Sequence, residues 1–207
     1  MILVRDTSVQ NFLVSREFLE TIKILDGEIC NISYHQQRYE SVLNTLGIEE
    51  KKSLAEFINP PEWGLYRCRL VYNETDIEVS YHEHKKREIS TLKLVFENEI
   101  NYAEKSTDRE HLDTLFDKRE DADDILIIKE LSVTDTSIAN IAFLTQEGKW
   151  ITPKNPLLKG TTRARLLDEG KIVEADIKVH ELRSFSKVAL LNAMVEFEIL
   201  ERCEFLI

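Results

Sequence analysis

Apolar residues change their period along the chain, alternating with polar ones in some segments and returning every third or fourth position in others. From Glu20 to Ile32 the order Glu-Thr-Ile-Lys-Ile-Leu-Asp-Gly-Glu-Ile-Cys-Asn-Ile predicts two short strands about Asp26-Gly27, a dipeptide that accepts the positive φ angles of a type I′ turn. A helix is predicted from Tyr34 to Leu46, with Tyr39, Val42 and Leu46 at helical intervals and Gly47 as its stop. Leu65 to Tyr72 and Asp76 to Tyr81 read as an antiparallel pair joined by the polar Asn73-Glu74-Thr75. The charged run from Glu83 to Glu88 interrupts this pattern before a new strand, Thr91 to Phe96. A domain boundary is therefore expected there, dividing the chain into residues 1–88 and 89–207.

In the second part, Arg109 to Lys118 predicts a helix with Leu112, Leu115 and Phe116 on one face, and Ile125 to Ile128 is an apolar run suited to a buried strand. Asn140 to Leu144 and Lys149 to Thr152 flank Gln146-Glu147-Gly148 as a second hairpin. Thr161 to Glu169 fits a short helix between Gly160 and Gly170, and Val188 to Leu200 is apolar enough to be expected in the core. No internal repeat is present. The mixed periods indicate an α/β or α+β protein.

Charge and composition narrow the partners. The 207 residues, 43% of them hydrophobic, can bury a core. A formal charge of −11 repels a phosphate backbone, so no nucleic-acid partner is expected, although a local basic pocket could hold a small anion. No apolar run approaches the length of about 18 residues that spans a bilayer, and Met1-Ile2-Leu3-Val4-Arg5-Asp6 lacks the regions of a signal peptide. A cytoplasmic location without a membrane partner is the expectation. Cys30, Cys68 and Cys203 are odd in number and far apart, which predicts buried or half-buried thiols and no disulfide framework. His82-Glu83-His84 would turn two imidazoles to one face of an extended segment, but no third ligand is apparent and no metal site is expected.

The chain contains no Gly-x-Ser-x-Gly elbow, Walker loop or dinucleotide fingerprint. What remains is Leu157-Leu158-Lys159-Gly160-Thr161-Thr162-Arg163, where a glycine turn enters a helix and the N–H groups and hydroxyls of Thr161 and Thr162 converge. Such a place suits a phosphate, although a Gly-Thr pair often does no more than cap a helix. In His35-Gln36-Gln37-Arg38, Arg38 could offer a bidentate fork to phosphate.

In order and spacing these motifs resemble the class IV aminotransferases, the fold-type IV pyridoxal 5′-phosphate enzymes, from about Phe18 to Val195. The hairpin and His35-Gln36-Gln37-Arg38 are similar to the family's hairpin and His-x-x-Arg. Lys105-Ser106-Thr107-Asp108-Arg109 is similar to the Lys-x-x-Asn-Arg of the aminodeoxychorismate lyase branch. Asp135 stands five positions before Asn140-Ile141, where the family usually carries glutamate; Trp150-Ile151-Thr152-Pro153 and Leu158 to Arg163 resemble its Thr-Pro and Leu-x-Gly-x-Thr-Arg segments, and Asn192-Ala193 its Asn-Ala pair. The segment Asn11 to Phe18 departs from the family in lacking a glycine-rich entry.

The resemblance implies a two-domain fold with a small N-terminal α/β domain and a larger C-terminal pseudo-barrel, and a homodimer. It implies pyridoxal 5′-phosphate as cofactor, Lys105 as the catalytic amine, and Arg38, Asp135, Asn140, Thr161 and Thr162 as cofactor-binding residues. Arg67 and Arg69 lie two apart on a predicted strand and share a face, so either could meet a substrate carboxylate; Asn192 is the third substrate-binding candidate. The implied substrate is a small amino-acid-like or chorismate-derived molecule. Three activities remain in play: a lyase giving 4-aminobenzoate and pyruvate from 4-amino-4-deoxychorismate for folate synthesis, a branched-chain or D-amino-acid aminotransferase, and a binding protein that keeps the fold without catalysis.

Overall fold

Asp26 and Gly27 adopt φ angles of 47° and 82°, and the chain reverses there as a type I′ turn. The strand before it, β1 (Phe18–Leu25), starts earlier than expected, and the one after it, β2 (Glu28–Ile29), is only two residues long. A computed structural model describes residues 16–207, so most of the glycine-poor stretch Asn11 to Phe18 lies outside the described residues. Helix α1 (Ile32–Thr45) begins two residues before the predicted start because Asn31, at φ 53°, turns the chain in the left-handed region that asparagine tolerates. It ends at Gly47 as expected, with Ile48 N–H donating to Leu43 O at 2.9 Å in a Schellman closure.

Strands β3 (Leu65–Tyr72) and β4 (Ile77–Glu83) complete a four-stranded sheet of order β2-β1-β3-β4. The main partner of β1 is β3, in antiparallel register from Phe18 opposite Tyr72 to Leu25 opposite Leu65. Side chains alternate across a strand. Phe18, Ile22 and Ile24 therefore pack with Cys68, Leu70 and Tyr72 against Tyr39, Val42 and Leu43 of α1. The opposite parity, Leu19 and Thr21 with Arg67 and Arg69, lines a cavity.

The second sheet contains β5 (Thr91–Phe96), β6 (Asp124–Lys129), β7 (Ser132–Thr136), β8 (Asn140–Leu144), β9 (Trp150–Pro153), β10 (Val173–Ala175), β11 (Lys187–Asn192), β12 (Glu196–Ile199) and β13 (Glu204–Leu206). Helices α2 (Glu110–Asp117) and α3 (Thr161–Asp168) flank it. Its order is β10-β9-β8-β7-β6-β5-β13, with β11 also pairing with β8 and carrying β12 on its far edge. Leu126, Ile128, Val133, Ile141, Phe143 and Leu190 form the centre of its core. The reversal between β6 and β7 places Glu130 and Leu131 at φ 50° and 60°, a turn that carries no glycine to announce it.

One expectation is corrected in part. Val188 to Leu191 are buried, but β12 lies at the surface, with Ile199 45% exposed, because only β11 pairs with it. The sheets meet where Leu19 N–H donates to Lys105 O at 2.8 Å and Thr107 N–H donates to Glu17 O at 3.0 Å, around a single antiparallel bridge between Phe18 and Ser106. Cys68 is buried, Cys30 and Cys203 are half-buried, and none is in a disulfide. Among the described residues no helix is long and apolar enough to cross a membrane.

Candidate active site

A cavity of about 520 Å³ opens between the first sheet and the strand ends of the second, a size that suits a small ligand. Lys105, Arg38, Asp135, Asn140 and Thr161 all line it. Arg67, Arg69 and Asn192 line it as well, whereas Thr162 is buried behind the α3 turn and is not part of the wall.

Lys105 lies on an irregular segment held by the bridge to β1. The segment is braced again where Tyr102 Oη donates to Ser106 O at 2.9 Å and Arg109 donates to Ser137 O at 3.0 Å. Burial pushes the Lys105 amine down to about 7, and the neighbouring Arg38 charge adds to the shift while Glu20 opposes it. A lysine amine held near neutrality can be both a nucleophile and a proton carrier.

Glu20 is charged yet sits at the core-facing parity of β1, with no exposed surface. Helix α1 explains it, since His35 and Arg38 lie three apart on one face. Arg38 donates Nε to Glu20 Oε1 at 2.8 Å and Nη2 to Oε2 at 2.5 Å, and His35 Nδ1 lies 2.6 Å from Oε2. Burial raises the Glu20 pKa, but the opposing pull of Arg38 and His35 brings it down to about 2. Burial lowers that of His35, so its ring is neutral and donates from Nδ1. Glu20 occupies the Nε–Nη2 edge of the guanidinium, and among the described residues Nη1 has no hydrogen-bond partner, so this cavity-lining arginine keeps a donor edge that an anion could use.

Across the cavity, Asp135 is 5% exposed, and its two oxygens accept from neutral amides: Oδ1 from Asn140 Nδ2 at 2.7 Å and Oδ2 from Leu158 N at 2.9 Å. Burial raises its pKa to about 6 because these donors, with the more distant charge of Arg163, offset only part of the desolvation. Beside it α3 presents its first N–H groups. The first intrahelical bond runs from Ala164 N to Gly160 O at 2.9 Å, so the amides of Thr161 and Thr162 have no partner within the helix.

Residues 17–199 match the family described as amino-transferase class IV. The chain belongs to the class IV aminotransferases. It is a pyridoxal 5′-phosphate-dependent enzyme of this family. An uncharacterised protein of Haemophilus influenzae is 39% identical over 181 residues, covering 84% of this chain and 96% of that one. A crystal structure from Haemophilus somnus 129PT, provisionally assigned as a 4-amino-4-deoxychorismate lyase, is 38% identical with a TM-score of 0.80, covering 86% of this chain and 96% of the other. The branched-chain amino acid aminotransferase of Escherichia coli shares the fold at 13% identity and a TM-score of 0.74, covering 93% of this chain and 78% of its own.

The cavity carries a charge opposite to that of the whole protein. Arg38, Arg67, Arg69, Lys85, Arg87, Lys105 and Arg109 line the cavity against Glu83, Asp135 and Glu198. The Asn192 side chain is spent largely on its own turn, accepting from Met194 N at 2.9 Å and Val195 N at 3.0 Å. His84 reaches the cavity wall, while His82 contacts Ser80 on β4 at 3.2 Å. Among the described residues no group of three His, Cys, Asp or Glu side chains is placed to hold a metal ion. The sequence reading missed Glu20 and His35 as site residues. The signal was available in a carboxylate at the core parity of an apolar strand, with His-x-x-Arg on the following helix.

Proposed function

We propose that this class IV enzyme is a lyase of the 4-amino-4-deoxychorismate type, releasing pyruvate and leaving 4-aminobenzoate, a step in folate synthesis. The observation that carries the reading is the Lys105 amine, whose pKa burial brings down to about 7, in a cation-lined cavity that also holds the buried carboxylate of Asp135. The residues fit pyridoxal 5′-phosphate: an amine for its aldehyde, Arg38 with the amides of Thr161 and Thr162 for its phosphate, and Asp135 for its ring nitrogen. When bound, that group supplies an electron sink for a carbanion. Lys105 then removes the proton from the amine-bearing carbon and returns one to the departing three-carbon fragment. Thr162 serves through its backbone amide alone, since its side chain stands behind the wall.

Arg67 and Arg69 support a substrate carrying carboxylates beyond the cofactor's own phosphate. Both line the cavity from β3, opposite Lys23 and Thr21 on β1, and a guanidinium grips a carboxylate in bidentate fashion. Asn192 shapes the adjoining turn from β11. The reading divides the chain at about residue 88 with the cavity between two domains, and takes the enzyme as a cytoplasmic homodimer.

A second reading, a branched-chain or D-amino-acid aminotransferase, is favoured by the apolar part of the wall, where Ile138, Leu157, Leu190 and Val195 could receive an aliphatic side chain. Incubating the cofactor-loaded protein with each substrate separates the two. Pyruvate and 4-aminobenzoate from aminodeoxychorismate support the lyase, and a 2-oxo acid from a branched-chain or D-amino acid supports the transaminase. A protein that gives neither product, and whose absorbance with added cofactor does not change in Lys105→Ala, is a binding protein, and both enzymatic readings fail.

A further inference from the structure

Asp135 and Asn140 face each other as the one cross-strand pair between β7 and β8, on either side of the 136–139 turn. The Asn140 amide uses both of its hydrogens, donating to Asp135 Oδ1 at 2.7 Å and to Leu158 O at 2.8 Å. Leu158 N returns a bond to Asp135 Oδ2 at 2.9 Å. Three hydrogen bonds thus close a ring through Asp135, Asn140 and Leu158, and this ring fixes which way the amide points. A flipped amide would set its oxygen against two acceptors.

The fixed orientation leaves Asn140 Oδ1 facing Gly160. A Cβ at residue 160 would lie 2.1 Å from Oδ1 and 3.2 Å from Cγ of Asn140. Gly160 has φ −69° and ψ 147°, which any residue adopts, so its backbone conformation does not call for glycine. The space does. Gly160 also starts α3, since its carbonyl accepts the first helical bond from Ala164 N.

We infer that Asn140 is a positioning residue that clamps the Asp135 carboxylate to the turn opening α3, and that residue 160 is glycine to leave room for this clamp. A side chain at 160 would swing the Asn140 amide away, and one displacement would remove a donor from Asp135 and another from Leu158. The place of the carboxylate and the place of the Thr161 and Thr162 amides are thereby set by the same three bonds. Asp135 is one methylene shorter than the family's glutamate, and the clamp fixes how far that shorter arm reaches. The clamp is a property of the cofactor-free chain. Only its effect on cofactor affinity rests on the role proposed above for Asp135.

The test is a double-mutant cycle on the cofactor-free protein. It is read by the carboxyl titration of Asp135 in ¹³C NMR, assigned through Asp135→Asn, and separately by affinity for pyridoxal 5′-phosphate. Removing a donor from a carboxylate raises its pKa. Asn140→Ala and Gly160→Ala are each expected to move the Asp135 midpoint upward by about one pH unit and to weaken cofactor binding about tenfold. Asn140→Ala with Gly160→Ala should match Asn140→Ala alone, because the clash has gone with the amide. Should Asn140→Ala not fold, Asn140→Ser repeats the cycle with a smaller side chain. A Gly160→Ala protein with an unmoved Asp135 titration, or effects that simply add in the double variant, would overturn the clamp. Shifted titrations with unchanged cofactor affinity would keep the clamp and overturn the ring-nitrogen role of Asp135 instead.

Discussion

One buried carboxylate, Asp135, lies in the cavity wall and another, Glu20, lies behind it on the core face of β1, and their surroundings drive these groups in opposite directions. Glu20 on β1 is brought down to about 2, whereas Asp135 on β7 is pushed up to about 6. Burial acts on both in the same sense. The difference lies in the partners: Glu20 touches a guanidinium and an imidazole, while Asp135 touches two neutral amides. A hydrogen bond alone offsets part of the desolvation of a charge, and an adjoining cation offsets it in full. One carboxylate is therefore a fixed anion that aims Arg38, and the other titrates within reach of neutral pH. Lys105 lines the same cavity as Asp135, lowered by burial and by Arg38 and raised by Glu20.

Replacing the fixed anion should have the largest effect. Glu20→Gln leaves Arg38 facing no counter-charge, and a loss of about 3–5 kcal/mol in stability is expected, seen as a drop of roughly 10 °C in a thermal melt. An unchanged melt would mean that Arg38 finds another partner. Asp135→Asn should do the reverse, costing about 100-fold in turnover with a change in melting temperature far smaller than that of Glu20→Gln.

The acid limb sharpens the contrast. The Glu20 pKa is lower in the folded chain than in the unfolded one, so its contribution is present above the ordinary value of 4.5 and is lost as pH falls from there towards 2. Lys105 behaves in the opposite sense to a paired lysine. Its folded value of about 7 lies below the ordinary 10.5, so the unfolded chain binds the proton more tightly, and the resulting destabilisation is full below 7 and fades as pH rises to 10.5. Lys105→Met should therefore melt higher than the cofactor-free parent at pH 6, and the two melts should converge above pH 10.5. A constant difference across that range would show that packing, and not charge, separates them. The smallest effect belongs to Lys23→Ala, which removes the 2.5 Å pair with Glu196 that joins β1 to β12 at the rim. Equilibrium unfolding in denaturant should register at most about 0.5 kcal/mol.

Much of this arrangement was legible in the residues. Asp26-Gly27 announced its turn, Gly47 and Gly170 announced two helix ends, and the resemblance to the class IV family picked out Lys105, Asp135 and the turn at Gly160, positions that the fold brings to one cavity. The turn at Glu130-Leu131 was not legible, because neither residue is one that prefers positive φ. Strands β10 and β13 are three residues each and pair in parallel with distant partners, so no local alternation betrays them. Glu20 was hidden for a different reason. Hydrophobic patterning tells which parity faces inward but not that a charge at that parity will be met by a guanidinium and an imidazole donor from the next helix. The paired use of the Asn140 amide depends on Leu158, eighteen positions away, and only the folded chain shows it.

The backbone contact that carries Lys105 also bears on the order of folding. Glu17 and Thr107, which flank the Phe18–Ser106 bridge, are 90 positions apart, and closing so long a loop is an entropic cost met only after nearer contacts have formed. The Lys105 amine thus gains its surroundings late, once both sheets stand. A refolding chain should regain its secondary structure before it regains the ability to bind an aldehyde.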